Sequence, residues 1–149
     1  MAGPLAGRPL PLLDEVSTPF WEGCARGELL AQHCAHCGLR RFPPRPMCPR
    51  CHSMESRWLP LPTRGRVYSF VICHPPVLPA FRKDVPYVVA VVELPGEPPL
   101  RMVGNVLECP PEQVHIGMPV AACFQPVGEG VHLPQWRPAE ALGRPGERG

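Results

Sequence analysis

The chain has 149 residues, 15 basic and 13 acidic side chains and a formal net charge of +2, a size suited to one domain or a small module joined to a barrel. So small a charge disfavours a protein that follows a phosphate backbone by electrostatics. The longest apolar stretch, Tyr87 to Val92, falls far short of the roughly 20 residues that a bilayer-crossing helix requires, so no membrane association is expected.

From Met1 to Leu13, prolines and glycines interrupt the apolar residues, whereas a secretory leader needs a charged region and then an unbroken apolar one. A cytoplasmic protein is therefore expected, with residues 1–17 as a flexible lead-in. Thr18-Pro19-Phe20-Trp21-Glu22 reads as the start of a helix within residues 18–30. Thr18 would be the N-cap, Pro19 the first helical residue and Glu22 a charge near the positive end of the dipole, with Gly27 as the stop. A helix of about two turns cannot stand alone in water. Phe20, Trp21 and Cys24 must bury either against the rest of this chain or in a partner protein, where Phe20 and Trp21 would act as docking anchors.

Residues 31–62 hold the most specific pattern. Cys34-Ala35-His36-Cys37 and Cys48-Pro49-Arg50-Cys51 are two Cys-x-x-Cys turns separated by ten residues. The two intervening residues let both sulfurs of a turn face one point, and the spacer suffices for a hairpin that returns the second turn to the first. Gly38 follows the first turn, where a positive φ keeps backbone amides aimed at the sulfurs. Cys34, Cys37, Cys48 and Cys51 are expected to hold one ion, zinc or, in the same rubredoxin-like geometry, iron. Four protein ligands leave no open position, so the ion is structural and not catalytic. His33, His36 and His52 crowd the same stretch, but the cysteines already complete a tetrahedron. Cys24, Cys73, Cys109 and Cys123 show no pairing pattern and read as buried or free thiols.

Between Cys34 and Arg66 seven arginines oppose a single acid, Glu55, while the flanking regions are mildly acidic. A tetrathiolate site carries about −2 itself, so part of this excess offsets the metal centre and the remainder is free to meet phosphate or an acidic partner.

Residues 63–138 change to strands and turns. Val67–Ile72 is rich in β-branched and aromatic residues and ends at Pro75-Pro76; Tyr87–Leu94 and Leu100–Val106 flank a turn at Pro95–Pro99. A turn at Gly117 leads into Val120–Phe124, and His132–Trp136 completes the set. Five short strands predict a mainly β protein with a five-stranded OB-fold barrel behind the short helix and the ribbon. Residues 139–149, with Gly143, Pro145, Gly146 and Gly149, read as a disordered tail.

No catalytic constellation is legible. His74 stands beside Cys73 without a carboxylate near in sequence, His115 and His132 are isolated, and Asp84 and Glu93 have no paired acid at a recognisable spacing. Glycine-rich phosphate loops, nucleophile elbows and His-Glu-x-x-His helices are all missing.

In their joint order, several short motifs carry a resemblance. They are Pro19-Phe20-Trp21 with Gly27 and Leu29, Cys34-x-x-Cys37-Gly38, Phe42-Pro43-Pro44-Arg45, Cys48-Pro49-x-Cys51, and Gly65-x-Val67-Tyr68-Ser69-Phe70. Val85-Pro86-Tyr87, Gly104-Asn105, Ile116-Gly117-Met118-Pro119-Val120 and Leu133-Pro134 continue the series. Together they resemble, from about Pro19 to Pro138, the rubredoxin-like zinc-ribbon and OB-fold family once catalogued as domain of unknown function thirty-five. The resemblance implies a non-catalytic subunit in a hetero-oligomer with a thiolase-superfamily enzyme: a thiolase, a hydroxymethylglutaryl-CoA synthase or a steroid side-chain aldolase. Such subunits stabilise the enzyme and contribute to its acyl-CoA site. If the chain touches CoA, the phosphates need cations and the pantetheine arm an apolar groove, which points to Arg64, Arg66, Phe81, Arg82 and Lys83.

Nucleic-acid binding is the alternative, since zinc ribbons and OB barrels both serve it and the ribbon is basic. Against it stand the few aromatic residues left to act as stacking platforms and the small net charge.

Overall fold

The computed structural model describes residues 7–139. Most of the expected tail, 140–149, and the first part of the expected lead-in, 1–6, lie outside the described residues. The helix α1 spans Thr18–Ala25. Its N-cap is Ser17, not Thr18, and Ser17 makes no side-chain capping bond. Asp14 organises the turn instead: its Oδ1 accepts the Ser17 N–H at 2.7 Å, and its carbonyl accepts the Thr18 hydroxyl at 2.6 Å. A short polar side chain three residues ahead thus closes the turn locally and displaces the expected cap by one residue. At the other end the Gly27 N–H bonds Cys24 O at 3.0 Å and the Glu28 N–H bonds Gly23 O at 2.9 Å, the paired bonds of a Schellman stop.

The ribbon is a three-stranded antiparallel sheet. Strands β1 (Leu30–Cys34), β2 (Arg40–Arg41) and β3 (Ser56–Pro60) lie in the order β2-β1-β3, with Gln32 opposite Arg41 and Cys34 opposite Ser56. The barrel strands are β4 (Arg64–Cys73), β5 (Tyr87–Leu94), β6 (Leu100–Asn105), β7 (Pro119–Gly128) and β8 (Val131–Pro138), in the order β6-β5-β4-β7-β8. A bulge between Val67 and Ser69 divides β4. Arg64, Gly65 and Arg66 pair with β7, and the pairing with β5 runs from Arg66 to Cys73 across the bulge. The extra residue and its added twist let one strand serve both halves of a curved sheet.

The free edges β6 and β8 meet and close the barrel. Val106 bridges Trp136, the Leu107 N–H bonds Trp136 O at 2.7 Å, and the Asn105 backbone N–H bonds the Gln135 side-chain oxygen at 2.5 Å. Along β5, Val88, Ala90, Val92 and Leu94 are buried while Tyr87, Val89, Val91 and Glu93 alternate with them on the opposite face, the period of two that a strand imposes. One apolar cluster runs through the whole molecule: Phe20 and Cys24 from α1, Leu29 and Ala31 from the ribbon, and Val67, Val92, Met102, Val120 and Trp136 from the barrel. Of the two destinations open to the helix, Phe20 therefore takes the inner one. It is 3 % exposed, a burial that stabilises by about 1.5–3 kcal/mol. Trp21 remains half-buried, with its ring 5.1 Å from that of Phe20. Among the described residues no helix is long and apolar enough to cross a membrane.

Candidate metal centre and apolar cleft

The four knuckle cysteines converge as the spacing requires. Their sulfurs all lie within 4.8 Å of one another, with Cys34 Sγ 3.5 Å from Cys51 Sγ and Cys37 Sγ 3.7 Å from Cys48 Sγ. A tetrahedral ion with bonds of about 2.3 Å separates its sulfurs by about 3.8 Å, close to both of these separations, so the donor set suits zinc or iron. Each turn closes alike: the Gly38 N–H bonds Cys34 O at 3.0 Å and the His52 N–H bonds Cys48 O at 2.9 Å. Gly38 has φ +74° and, at the equivalent place in the second turn, His52 has φ +64°. His52 is thereby a turn residue, and neither it, His33 nor His36 joins the sulfur cluster.

The amide of Cys37 is the main cause that draws the Cys34 thiol down to about 6, helped by the amide of His36 and the Cys51 thiol. Cys48 is likewise lowered, first by the amide of Cys51. The turns thus present N–H dipoles to developing thiolates, the form that binds metal.

Two of the seven arginines have structural destinations, while Arg45, Arg50, Arg57, Arg64 and Arg66 stay exposed. Arg40 leaves the ribbon to donate to Pro98 O at 2.8 Å and Pro95 O at 3.0 Å in the β5–β6 turn. Arg41 is 6 % exposed and donates to Arg45 O at 3.1 Å. These two side chains are committed to the fold and are not offered to phosphate.

A cleft of about 830 Å³ opens where helix, ribbon and barrel meet. Phe20, Trp21, Phe42, Pro43 and Pro44 form one wall; Tyr87, Val89, Met102, Val103, Leu133 and Pro134 form the other. Polar groups are few, and the two amide side chains are already hydrogen-bonded. Asn105 Nδ2 donates to Val88 O at 2.9 Å, Gln135 Nε2 to Asn105 Oδ1 at 3.1 Å, and Arg101 pairs with Glu93 at 3.0 Å while its guanidinium lies 3.6 Å from the Tyr68 ring centre. Size and lining match a site for an apolar ligand body. The sequence carried a trace of it: β5 is apolar on both faces from Tyr87 to Val92, although a strand covered on one side only should alternate with polar residues.

The residues expected to contact acyl-CoA do not form one site. Arg64 and Arg66 border a separate cleft of about 560 Å³ beside Pro95 and Pro119, and Arg66 is tied to Gly117 O at 3.1 Å. Phe81 ends a short 3-10 turn, Pro79–Phe81, and lines the apolar cleft, while Arg82 and Lys83 are exposed. The cause is β4 itself, whose length places its two ends up to roughly 30 Å apart. Of the docking pair, Phe20 is withdrawn into the core and only Trp21 reaches the surface.

A closed five-stranded barrel joined to a four-cysteine ribbon through one core defines a zinc-ribbon and OB-fold protein. Residues 21–55 match the model described as the ChsH2 rubredoxin-like zinc ribbon domain, and residues 58–125 match that of the ChsH2 C-terminal OB-fold domain. The chain belongs to this family, the one the sequence motifs resembled. It is 39 % identical over 103 residues to a DUF35 domain-containing scaffold protein of Methanocaldococcus jannaschii, covering 68 % of this chain and 70 % of that one. A probable enoyl-CoA hydratase alpha subunit of Thermomonospora curvata is 37 % identical over 136 residues, 91 % of this chain but 41 % of that protein. The chain thus spans less than half the length of that curated relative. Among solved structures, an Ltp2-ChsH2(DUF35) aldolase matches with a TM-score of 0.79 and 35 % identity over 87 % of this chain and 98 % of that chain.

Proposed function

We propose that this chain is a non-catalytic subunit that docks on an acyl-CoA enzyme of the thiolase superfamily and supplies part of the surface that holds the acyl group. The observation that carries this reading is the apolar cleft, large enough for an acyl or ring system and poor in free polar groups. The relatives' names support an enzyme-associated role, since they include a scaffold protein, a hydratase subunit and an aldolase complex. In this reading Cys34, Cys37, Cys48 and Cys51 hold a structural zinc that fixes the ribbon, and Trp21 lies where ribbon, cleft and partner meet. The complex works in the cytoplasm as a hetero-oligomer, and the partner performs the bond-making chemistry.

Binding of saturated acyl-CoA esters of increasing chain length, followed by calorimetry on the wild-type chain and on Val103→Glu, tests the cleft. Val103 is 62 % exposed on the cleft wall, so the substitution spares the fold. Affinity should climb with chain length, by up to about 0.8 kcal/mol per buried methylene, and fall at least tenfold in Val103→Glu. Affinity that ignores both chain length and this substitution would remove acyl binding from the account.

A further inference from the structure

The segment that leads into α1 forms part of the cleft wall, through Pro11 and Leu12. Its two ends are pinned and its middle is not. At one end Arg8 donates to Asp84 at 2.7 Å and stacks 4.6 Å from the centre of the Phe81 ring, with its side chain only 9 % exposed. At the other, Asp14 closes the turn before the helix. Between them, Pro9 to Leu13 makes no hydrogen bond to any described residue. Its leucines face outward: Leu10 is 37 % exposed, Leu12 87 % and Leu13 48 %. Pro9 and Pro11 stiffen this stretch in an extended form.

From this geometry we infer that residues 8–13 are a strap that gates the apolar cleft, held shut by an Arg8 latch on Asp84 and Phe81. The inference rests on the acyl-binding reading for the ligand's class, an apolar chain or ring. A segment without backbone bonds or buried apolar side chains belongs to the least stable part of a fold and opens locally. Its restraint is concentrated in Arg8, whose ion pair is shielded from water on the arginine side and reinforced by the Phe81 ring. Opening the latch lifts Pro11 and Leu12 from the mouth of the cleft. When a ligand is in place, reclosure sets half-buried Pro11 against it, so a bound chain itself favours the shut state. The structure also places the latch on the side of the cleft where Phe81 forms the wall, so its release reshapes that wall directly.

The test uses the full chain and two variants, Asp84→Asn, which weakens the ion pair, and Arg8→Met, which keeps an apolar stem over Phe81. Two readouts are taken: the backbone 15N order parameters of Leu10, Leu12 and Leu13, and the association rate of cis-parinaric acid, an apolar fluorescent chain without CoA. The strap predicts order parameters that fall from the rigid range, about 0.85, to below about 0.6 in both variants with the cleft empty, several-fold faster association, and order restored when the probe is bound. Unchanged order would show that Arg8 does not hold the segment. Lost order with unchanged association would show that the segment is no gate. Either result overturns the strap and leaves acyl binding standing, because the probe still binds. A wild-type chain that binds neither the probe nor acyl-CoA overturns both.

Discussion

The guanidinium of Arg40 occupies the space a side chain would need at Gly96. Gly96 sits at φ +133°, and a Cβ built on it would overlap the arginine's terminal atoms. Ribbon and barrel are thus joined at one turn by a contact that only glycine permits, with Arg40 bonding the carbonyls of Pro95 and Pro98 on either side.

Gly96→Ala should therefore destabilise the protein by about 1–3 kcal/mol, from backbone strain and displacement of Arg40 together. Chemical denaturation of Gly96→Ala, Arg40→Ala and the double variant separates the two causes. The double variant should lose less than the sum of the singles, because the overlap is relieved once the arginine is gone.

Barrel closure depends on Asn105 and Gln135. Gln135 is 3 % exposed and is held between the Asn105 side chain at 3.1 Å and Gln125 at 3.2 Å. Asn105→Leu should cost about 1–3 kcal/mol by leaving Gln135 Nε2 and Val88 O short of partners inside the protein. In exchange experiments the loss should concentrate in β6 and β8. A uniform loss across all strands would place the closure elsewhere.

Cys24 is fully buried, and burial pushes its thiol up to about 12 from the ordinary 9.0. The unfolded chain gives up this proton more readily than the folded one. Its contribution to stability is therefore intact below about 9 and is lost as pH rises from there toward 12. Cys24 should resist thiol reagents until global unfolding, and Cys24→Ala should flatten the alkaline fall in melting temperature.

Cys48→Ala should leave the chain without its ion and with a lower melting temperature, read by elemental analysis beside calorimetry. The wild type should carry about one ion per chain. A variant that keeps the metal would refute the tetrathiolate centre.

Why some of this was legible in the sequence and some not follows from range. The cysteine turns and the five strands are local patterns: two residues between thiols, alternating apolar residues, and proline or glycine at each turn. They placed β5 at Tyr87–Leu94 without error. The helix cap missed by one residue because Asp14 acts from four positions ahead of Thr18. Arg66 and Phe81 were both candidate CoA contacts, and the structure sets them at different clefts, a separation that residue type alone does not reveal. The cleft was hidden because its walls come from residues as distant as Trp21, Val103 and Pro134, and only closure of the barrel brings them together. Arg40 and Arg41 read as spare charge because their acceptors are backbone carbonyls, which no composition reveals.

The central claim is partnership with a thiolase-fold enzyme. Its most direct measurement is gentle isolation of the chain from its own host, followed by native mass spectrometry of the eluted species and assay of any companion with and without this chain. The account predicts a thiolase-superfamily subunit in near-equal amount whose turnover of acyl-CoA falls when the chain is removed. Recovery of the chain alone, or with nucleic acid in place of an enzyme, would contradict it.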